Sequence, residues 1–398
     1  MTERLTTDPG FASSVSQTVG TPFYLVSENR LIRNIRHLQD GIRAQYPNTH
    51  VSYSVKSNNL GAFVRACIDN GVPVEVVSRA EYDYVTRLGA DLKTTIYNGP
   101  AKTAEDMTFA LSQGSFVNVD SLAELRALAE AETPEPIGIR VPATLASGAV
   151  SRFGIDLADP DTLAEARALT AHLNVTGLHV HHSSHRHAES YGDRIEQLLD
   201  AADVLGLDHI DTLDIGGGFS SPMPPEIASQ LAYKTATFDE YGDVLGARAA
   251  ELLGPDGPRL VLEPGIGVLA NCATYVTRIG AIKRNGGRNY AVVDGSIFEV
   301  NPLRSSIGPP IVHLALPTAG PATQIVGATC MEIDVLGDFP YEPTIGDLLS
   351  IENVGSYTTS LAPDFIIPRS PVVSADTGDT LRLRSTIDAV GLGPAKEA

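Results

Sequence analysis

Short β-rich runs alternate with stretches of helical apolar spacing along the first two thirds of this chain. The runs cover residues 51–56, 73–77, 94–98, 115–119, 136–141, 175–181, 210–215 and 258–263. Apolar residues recur every three or four positions in most intervening stretches, as in 121–131 and 194–205, and Leu31, Ile35 and Leu38 form a similar stripe before the first run. Alternating strands and helices indicate a parallel sheet, and eight such units in about 240 residues predict a (β/α)8 TIM barrel. A doubly wound parallel sheet is the alternative that the pattern leaves open.

The pattern changes after about residue 267. The β-rich runs there cover residues 272–282, 289–294, 323–336, 347–354 and 381–389, with Gly and Pro between them and little helical periodicity. This pattern predicts a separate antiparallel β domain. The early run 21–26 precedes the first barrel helix, so it is expected to add a strand to that domain. We therefore predict a barrel at 27–266 and a β domain built from both chain ends, 1–26 and 267–398.

Composition narrows the class of protein. The chain has 398 residues, 43% of them hydrophobic, which supports ordinary globular cores, and its formal charge of −19 argues against nucleic acid or an anionic membrane as the main partner. No apolar run approaches the length of a membrane span, and the first residues lack the basic and apolar regions of a signal peptide. Cys67, Cys272 and Cys330 are too few and too scattered for a disulfide framework or a zinc site. These features predict a cytoplasmic protein.

Lys56 ends the first predicted strand, which carries no other charge. Burial would lower the pKa of its ammonium group and make the neutral amine available as a nucleophile toward carbonyls. The alternative is a lysine that extends past the strand end into solvent. The residues that end the predicted barrel strands are Lys56, Ser78, Asp120, Arg140, His181, Gly216, Gly217, Gly218 and Glu263. Because the carboxyl ends of barrel strands face the active site, their common position favours chemistry.

The ends of strands seven and eight carry residues that suit the phosphate and the ring nitrogen of a ligand. The run Gly216, Gly217 and Gly218 lets backbone amides converge on a phosphate, after strand seven where barrels commonly hold one. A tight turn is the alternative explanation of the glycines. Glu263 is followed by Pro264-Gly265, and a carboxylate at this position could hold a protonated ring nitrogen. A capping or salt-bridge role is the alternative for Glu263.

The sixth strand ends in a histidine-rich segment, 179–187. Several histidines first suggest a metal, but no acidic or cysteine partner stands at ligand spacing in the sequence. We therefore predict no metal and interpret His181 as a flat imidazole that stacks on a ring. A lysine that forms imines, a phosphate loop and a carboxylate for a ring nitrogen together describe a pyridoxal 5′-phosphate site.

The chain resembles the fold-type III pyridoxal-phosphate decarboxylases: the diaminopimelate, ornithine and arginine decarboxylases, with alanine racemase a distant relative. The resemblance extends from about residue 21 to 390. The motifs that carry it lie at 53–58 (YSVKSN), 75–81, 119–121, 151–154, 214–219, 263–265, 327–334 and 355–357. It implies an alanine-racemase-like barrel and a β domain that completes the active site across a homodimer.

The resemblance also implies residue roles. Lys56 would form the Schiff base, His181 would stack on the pyridine ring, and Glu263 would keep the ring nitrogen protonated. Cys330 of the partner subunit would return a proton after carbon dioxide leaves. The further cofactor contacts it implies are Glu75, Arg140, Ser184, Gly216, Gly217, Gly218, Gly265 and Tyr357. The implied substrate contacts are Asn301, Arg304, Met331, Glu332, Asp334 and Tyr357.

The chain departs from the family pattern around the phosphate and the substrate. Ile266 replaces an arginine that contacts the phosphate, and Ser183 replaces a glycine. Met331 stands after the catalytic cysteine, where the family has an acidic residue that binds the distal amine of the substrate. Glu332, one position further on, could take that role through a local shift of the chain. The segment 300–304 lacks the Arg-Pro pattern that grips the distal carboxylate of diaminopimelate.

These departures favour decarboxylation of a modified or bulky amino acid in a specialised pathway, such as natural-product or siderophore assembly. Standard diaminopimelate or ornithine decarboxylation and amino-acid racemisation are the chemical alternatives. A pyridoxal-phosphate-binding protein without turnover is an alternative from another class, and a metal-dependent barrel hydrolase is a third. The expected partners are a small-molecule amino acid and a second copy of the chain, with neither nucleic acid nor membrane.

Overall fold

A computed structural model describes residues 5, 8–145, 147–183, 185–303, 305–315 and 320–385. The strands of the described residues are β1 (Phe23–Val26), β2 (Thr49–Val51), β3 (Tyr53–Ser54), β4 (Val74–Val76), β5 (Ile96–Tyr97), β6 (Phe116–Val119), β7 (Ile137–Arg140), β8 (Val175–His179), β9 (Thr212–Asp214), β10 (Arg259–Leu262), β11 (Ala273–Asn285), β12 (Arg288–Val293), β13 (Ile311–His313), β14 (Thr323–Val326), β15 (Val335–Phe339), β16 (Leu348–Glu352), β17 (Val372–Ser374) and β18 (Thr380–Arg382).

The α-helices of the described residues are α1 (Pro9–Val19), α2 (Glu28–Arg43), α3 (Gly61–Asp69), α4 (Arg79–Leu88), α5 (Ala104–Ser112), α6 (Leu122–Glu130), α7 (Pro160–Thr170), α8 (Ser190–Leu205), α9 (Pro225–Ala228), α10 (Phe238–Glu240), α11 (Gly246–Leu253), α12 (Gly265–Leu269) and α13 (Ile297–Val300). Short 3-10 turns lie at Val55–Ser57, Leu92–Thr94 and Ala270–Cys272, and a π-turn lies at Tyr241–Leu245.

The chain divides into two compact units. The barrel unit comprises 32–221 and 233–268, and the β unit comprises the described parts of 1–31, 222–232 and 269–398. The segment 222–232, which the hydrophobic pattern assigns to the barrel, groups with the β unit. No helix in the described part of the chain is long and apolar enough to cross a membrane.

The barrel unit contains a parallel sheet that returns to its starting segment. The strand order is β2-β10-β9-β8-β7-β6-β5-β4-β3, and all pairings are parallel. Strands β2 and β3 are two halves of the first predicted strand: the N–H of Ser52 donates to Leu262 O at 2.8 Å, and that of Tyr53 donates to Pro73 O at 2.8 Å. One segment therefore pairs with both the last strand and the second. The predicted (β/α)8 barrel is confirmed, and the doubly wound alternative is wrong because an open sheet would leave two edges.

Local chemistry explains where the barrel elements begin and end. The Leu31, Ile35 and Leu38 stripe of α2 is buried, as its spacing predicts. Ser78 follows β4, and its hydroxyl accepts from the N–H of Glu81 at 3.2 Å as the N-cap of α4. Several strands are shorter than the β-rich runs. In particular, Lys56 lies in the 3-10 turn after β3, where the sequence predicted the end of a strand.

The β unit is built on one sheet from both ends of the described chain. Its order is β15-β14-β12-β11-β1-β17-β18, with β16 paired to β11 and β13. Strand β1 pairs with β11 and β17, so the early run contributes a strand as predicted. The sheet is mostly antiparallel, as predicted, and β1 with β17 and β12 with β14 are its parallel pairs among the described residues. Its core includes Val15, Phe23, Leu25, Val276 and Val373.

Candidate active site

Lys56 lies against a buried carboxylate at the carboxyl end of the barrel strands. Its Nζ is 2.5 Å from Oε2 of Glu75, a residue of β4. The Lys56 side chain is 30% exposed and that of Glu75 is fully buried. The amine is therefore held by a buried acidic group, in a setting that solvent reaches from one side.

One asparagine connects Glu75 to a second buried carboxyl group, and another donates a hydrogen bond to that asparagine. The Asn98 side-chain amide donates to Glu75 Oε1 at 3.2 Å and to Glu263 Oε1 at 2.6 Å. Asn118 donates in turn to Asn98 Oδ1 at 2.8 Å. Residues 75, 98, 118 and 263 come from four different strands or strand ends, so their contact depends on barrel closure. The sequence reasoning did not single out Asn98 or Asn118, although Asn98 ends its run as Lys56 ends the first.

Burial and mutual repulsion favour protonation of Asp214 and Glu263 at this end of the barrel. The pKa of Glu263 is raised well above its usual value, first by burial and then by the negative charges of Asp214 and Glu75. Burial likewise raises the pKa of Asp214 to about 7 from 3.8. Two buried carboxyl groups this close cannot both ionise cheaply. The Asp214 and Glu263 pair therefore retains a proton near neutral pH.

Asp214→Asn is expected to stabilise the cofactor-free protein, and more so as the pH rises. The folded-state pKa of Asp214, about 7, lies above the ordinary value of 3.8, so the folded protein binds the extra proton and loses stability as the pH rises from one value to the other. Asparagine removes this loss and can still accept from the N–H of Gly216, which donates to Asp214 Oδ1 at 2.9 Å. We expect the Tm of the variant to exceed that of the wild type by a few degrees at about pH 8, and by less at about pH 5.

Thermal unfolding at several pH values checks this expectation. Asp203→Asn, at an exposed position of α8, is the matched control and should show no such trend. A Tm difference for Asp214→Asn that is independent of pH would contradict the assignment.

His181 is fixed by the glycine run. The N–H of Gly217 donates to His181 Nδ1 at 3.1 Å. Burial and the positive charges of Lys56 and Arg140 lower the pKa of His181 well below its usual value, so the ring is neutral. A neutral imidazole that accepts at Nδ1 carries its proton on Nε2. The geometry holds a flat, uncharged ring in one orientation.

His179, His181 and Glu263 together could suggest a metal site. One ligand atom of each lies within 4.8 Å of the others. However, the neutral His181 ring offers no lone pair at Nε2 while Nδ1 accepts from Gly217, and Glu263 Oε1 already accepts from Asn98. The raised pKa of Glu263 also disfavours the carboxylate that a metal requires. The chemistry of this cluster favours an organic cofactor over a metal.

Backbone packing requires the glycines of the run after β9. Gly218 has φ +88°, and a Cβ there would lie 2.2 Å from His182 O. Gly216 has φ +65°, and a Cβ would lie 2.5 Å from Val180 O. Both interpretations from sequence, tight turn and ligand loop, are compatible with this backbone. Within the described residues, the N–H of Gly218 has no hydrogen-bond partner, so it is available to an anion.

Two further predicted cofactor contacts have structural partners of their own. Arg140 Nη1 lies 3.1 Å from Asp120 Oδ1, so this guanidinium already has a counter-charge. Gly265 begins α12, and a Cβ at this position would lie 2.4 Å from Ser57 Oγ. The glycine therefore allows the turn that carries Lys56 to pack closely. Ser184, predicted to contact the phosphate, lies outside the described residues.

In the β unit, one buried carboxylate holds the loop that carries Cys330. Asp334 is 2% exposed and accepts from Ser296 Oγ, from the N–H of Ile297 at 2.7 Å, and from both the N–H and the hydroxyl of Thr329 at 3.0 and 2.6 Å. Cys330 is a free, exposed cysteine, and the neighbouring Met331 is also exposed. The fold therefore presents the thiol and the thioether on a loop whose base is anchored by Asp334.

Three of the remaining predicted substrate residues, Asn301, Glu332 and Tyr357, also belong to loops of the β unit. The Asn301 side chain donates to Ser305 O at 2.8 Å and accepts from the N–H of Ser305 at 2.9 Å. These two hydrogen bonds close a local turn. Tyr357 has φ +60°, a left-handed backbone that is uncommon outside glycine and asparagine and is found at functional sites. Glu332 is exposed. Arg304 lies outside the described residues.

A barrel whose strand ends bring together a lysine, a protonated carboxyl group, a neutral imidazole and a glycine loop is typical of enzymes that use pyridoxal phosphate. Residues 32–270 match the family described as "Pyridoxal-dependent decarboxylase, pyridoxal binding domain", and the chain belongs to this family. It is a pyridoxal-phosphate-dependent amino acid decarboxylase, as the resemblance predicted.

Several known decarboxylases are similar to this protein over most of the chain. A diaminopimelate decarboxylase of Actinosynnema pretiosum is 28% identical over 388 residues, which are 92% of this chain and 86% of that protein. The structure of diaminopimelate decarboxylase from M. jannaschii with L-lysine has a TM-score of 0.84 at 21% identity and covers 95% of this chain and 93% of that one. Lysine/ornithine decarboxylase from Vibrio vulnificus with putrescine has a TM-score of 0.78 at 21% identity, with coverages of 93% and 98%. At these identities the solved structures show the fold.

Proposed function

We propose that this decarboxylase acts on a modified or bulky amino acid, in a specialised pathway such as natural-product or siderophore assembly. The observation that carries the proposal is Met331, a neutral residue that is 40% exposed and directly follows Cys330. A thioether cannot compensate a distal ammonium group. Losing such a charged contact costs about 1.5–3 kcal/mol, which weakens discrimination for a diamino acid. The neighbouring Ile333, 48% exposed, adds apolar surface that suits a larger or less polar side chain.

The barrel residues take the roles for which their positions fit them. Bound pyridoxal phosphate would supply an electron-withdrawing ring that stabilises the electron pair left on Cα when carbon dioxide departs. Lys56 Nζ would be the attachment point, and Glu75, 2.5 Å away, holds that amine in position. The protonated Glu263 provides a hydrogen-bonded proton for the ring nitrogen, and His181 presents a flat neutral face. The amides of the 217–218 loop would hold the phosphate.

The proposal also assigns the proton that replaces carbon dioxide. Decarboxylation leaves an electron pair on Cα, and one proton must be delivered there to form the amine product. We assign this delivery to Cys330 and expect it to come from a second copy of the chain in a homodimer, as the family resemblance implies. Asp334 acts as a positioning residue in this proposal, because its carboxylate already accepts from Ser296, Ile297 and Thr329.

Cys330→Ala is expected to leave cofactor binding unchanged and to reduce amine formation about a hundredfold or more, because a positioned general acid contributes factors of this size. Cofactor absorbance and product analysis measure the two effects. Cys67→Ala, at a buried cysteine of α3, is the control and should affect stability without changing the product. Normal amine formation by Cys330→Ala would remove this residue from the mechanism.

Carbon dioxide release across a broad amino-acid panel tests the substrate proposal. The panel includes N-acylated and citryl-linked or carrier-linked amino acids beside meso-diaminopimelate, L-ornithine and L-lysine. Efficient turnover of meso-diaminopimelate or L-ornithine would overturn the proposal. Diaminopimelate decarboxylation is the second candidate, since curated relatives carry that name. Exchange of the Cα proton without carbon dioxide release would indicate a racemase, and cofactor binding without any reaction would indicate a non-catalytic protein.

A further inference from the structure

A charged side chain lies buried behind the glycine run. Arg194, in the first turns of α8, is 2% exposed. Its Nη1 donates to Ile215 O at 3.0 Å and to Gly217 O at 2.6 Å, and its Nη2 donates to His185 O at 2.8 Å. The guanidinium therefore contacts the backbone of the glycine run directly.

Arg194 differs from three other cations of the barrel unit in that no carboxylate among the described residues pairs with it. Lys56 pairs with Glu75, Lys102 with Glu124, and Arg140 with Asp120. Among the described residues, no carboxylate forms an ion pair with Arg194; backbone carbonyls surround it, and the Tyr191 ring lies 3.9 Å from its guanidinium carbon. Buried charges are normally paired, because removing an ion from water is costly. Among its described residues, the barrel unit thus holds a positive charge at the glycine run that no carboxylate pairs with.

The backbone geometry relates this charge to the face of the loop that is free to bind a ligand. In a trans peptide, the carbonyl of Gly217 and the N–H of Gly218 point in opposite directions. Arg194 binds the carbonyl, and the N–H on the other side has no partner among the described residues. A cation bound to the carbonyl polarises the peptide and strengthens its N–H as a donor. Ile266, which follows Gly265 near this loop, brings no charge.

We propose that Arg194 supplies the positive charge of the phosphate subsite from behind the glycine run, through the Gly217–Gly218 peptide. The inference rests on the proposed function, in which this loop holds the cofactor phosphate. A dianionic phosphate on the N–H side provides the counter-charge that Arg194 lacks in its own unit. The competing explanation is a purely structural clamp on three carbonyl groups.

Affinity for pyridoxal phosphate, compared with affinity for pyridoxal, separates the two explanations. Pyridoxal lacks the phosphate. The Kd of pyridoxal divided by the Kd of pyridoxal phosphate therefore measures how much the phosphate contributes to binding. We expect Arg194→Gln, which can still donate to a carbonyl but is neutral, to reduce this ratio about tenfold or more. Arg194→Lys, which keeps the charge but loses part of the carbonyl contacts, should retain the ratio within about threefold. The measurement uses the cofactor-stripped full chain.

The control is Arg167→Gln, at an arginine whose Nε donates to the Val204 carbonyl at 2.7 Å, near the far end of α8. It should leave the ratio unchanged. Equal loss of affinity for both ligands in Arg194→Gln would show a structural clamp and overturn the inference. If Arg194→Gln does not fold, Arg194→Lys decides. A fall of about tenfold in the ratio of dissociation constants would overturn the inference, and a ratio within about threefold of the wild type would support it. A wild-type chain that binds both ligands equally would instead refute the proposed phosphate loop, and the inference with it.

Discussion

Lys56→Ala is expected to reduce carbon dioxide release by roughly a thousandfold or more, because removing a covalent attachment point disables the residues that act with it. Lys56 is the amine at the barrel's carboxyl end that lies 2.5 Å from the buried Glu75. Borohydride reduction of the loaded protein, followed by peptide mapping, should place the cofactor on Lys56 in the wild type and nowhere in the variant. Modification of another lysine at comparable yield would contradict the assignment.

Two controls separate chemistry from folding. Lys56→Arg keeps a cation beside Glu75 but removes the nucleophilic amine, so it should fold normally and remain inactive. Lys102 is a matched buried lysine whose Nζ lies 2.8 Å from Glu124. Lys102→Ala leaves that carboxylate buried without its partner, so it should lower stability while the cofactor still attaches at Lys56.

Glu263→Gln is expected to lower kcat about a hundredfold or more while the cofactor stays attached, by analogy with the removal of one preorganised group that stabilises developing charge. The amide preserves the size of the side chain and can accept the Asn98 hydrogen bond, which is 2.6 Å in the wild type. It has no transferable proton for a ring nitrogen. Initial rates and cofactor absorbance, measured on the same samples, distinguish lost chemistry from lost cofactor.

Glu81→Gln is the matched control for this substitution. Glu81 is a partly buried carboxyl group whose pKa is also raised by burial, and its Oε2 accepts from the N–H of Val77 at 2.8 Å. Glutamine can keep that hydrogen bond, so the rate should stay within about threefold of the wild type. A kcat for Glu263→Gln as high as that of Glu81→Gln would show that Glu263 does not act on the ring.

Much of the fold could be predicted because its signals are local. The alternation of strand and helix patterns predicts the barrel, and the run 21–26 predicts a strand in the second sheet, which the structure contains as β1. Strand ends were harder to predict, since the turn at Val55–Ser57 continues an apolar alternation without a break. Parallel pairing of β1 with β17 joins residues about 350 positions apart, and no local pattern encodes it.

The sequence predicted which residues form the site. It did not predict their protonation states or their hydrogen-bond partners. A strand-end lysine, three glycines and Glu263 indicate the cofactor chemistry. Asn98 was missed because its effect depends on reaching both Glu75 and Glu263. The prediction of Asp334 as a substrate contact came from its motif, whereas its burial and its hydrogen bonds to Ser296, Ile297 and Thr329 emerge only when the β unit is folded.

The sequence by itself determined the barrel pattern, the lysine at its first strand and the class of cofactor, because local periodicity marks the strand ends and the residue types at those ends can be read without knowing their distances. Only the tertiary structure decided which charges are balanced. Closing the barrel brings Asp214 and Glu263 close enough to raise each other's pKa beside the charge of Glu75, and it leaves Arg194 buried without a carboxylate partner among the described residues. Coulomb energies and desolvation depend on distances between groups that are remote in the chain, and those distances exist only in the folded protein.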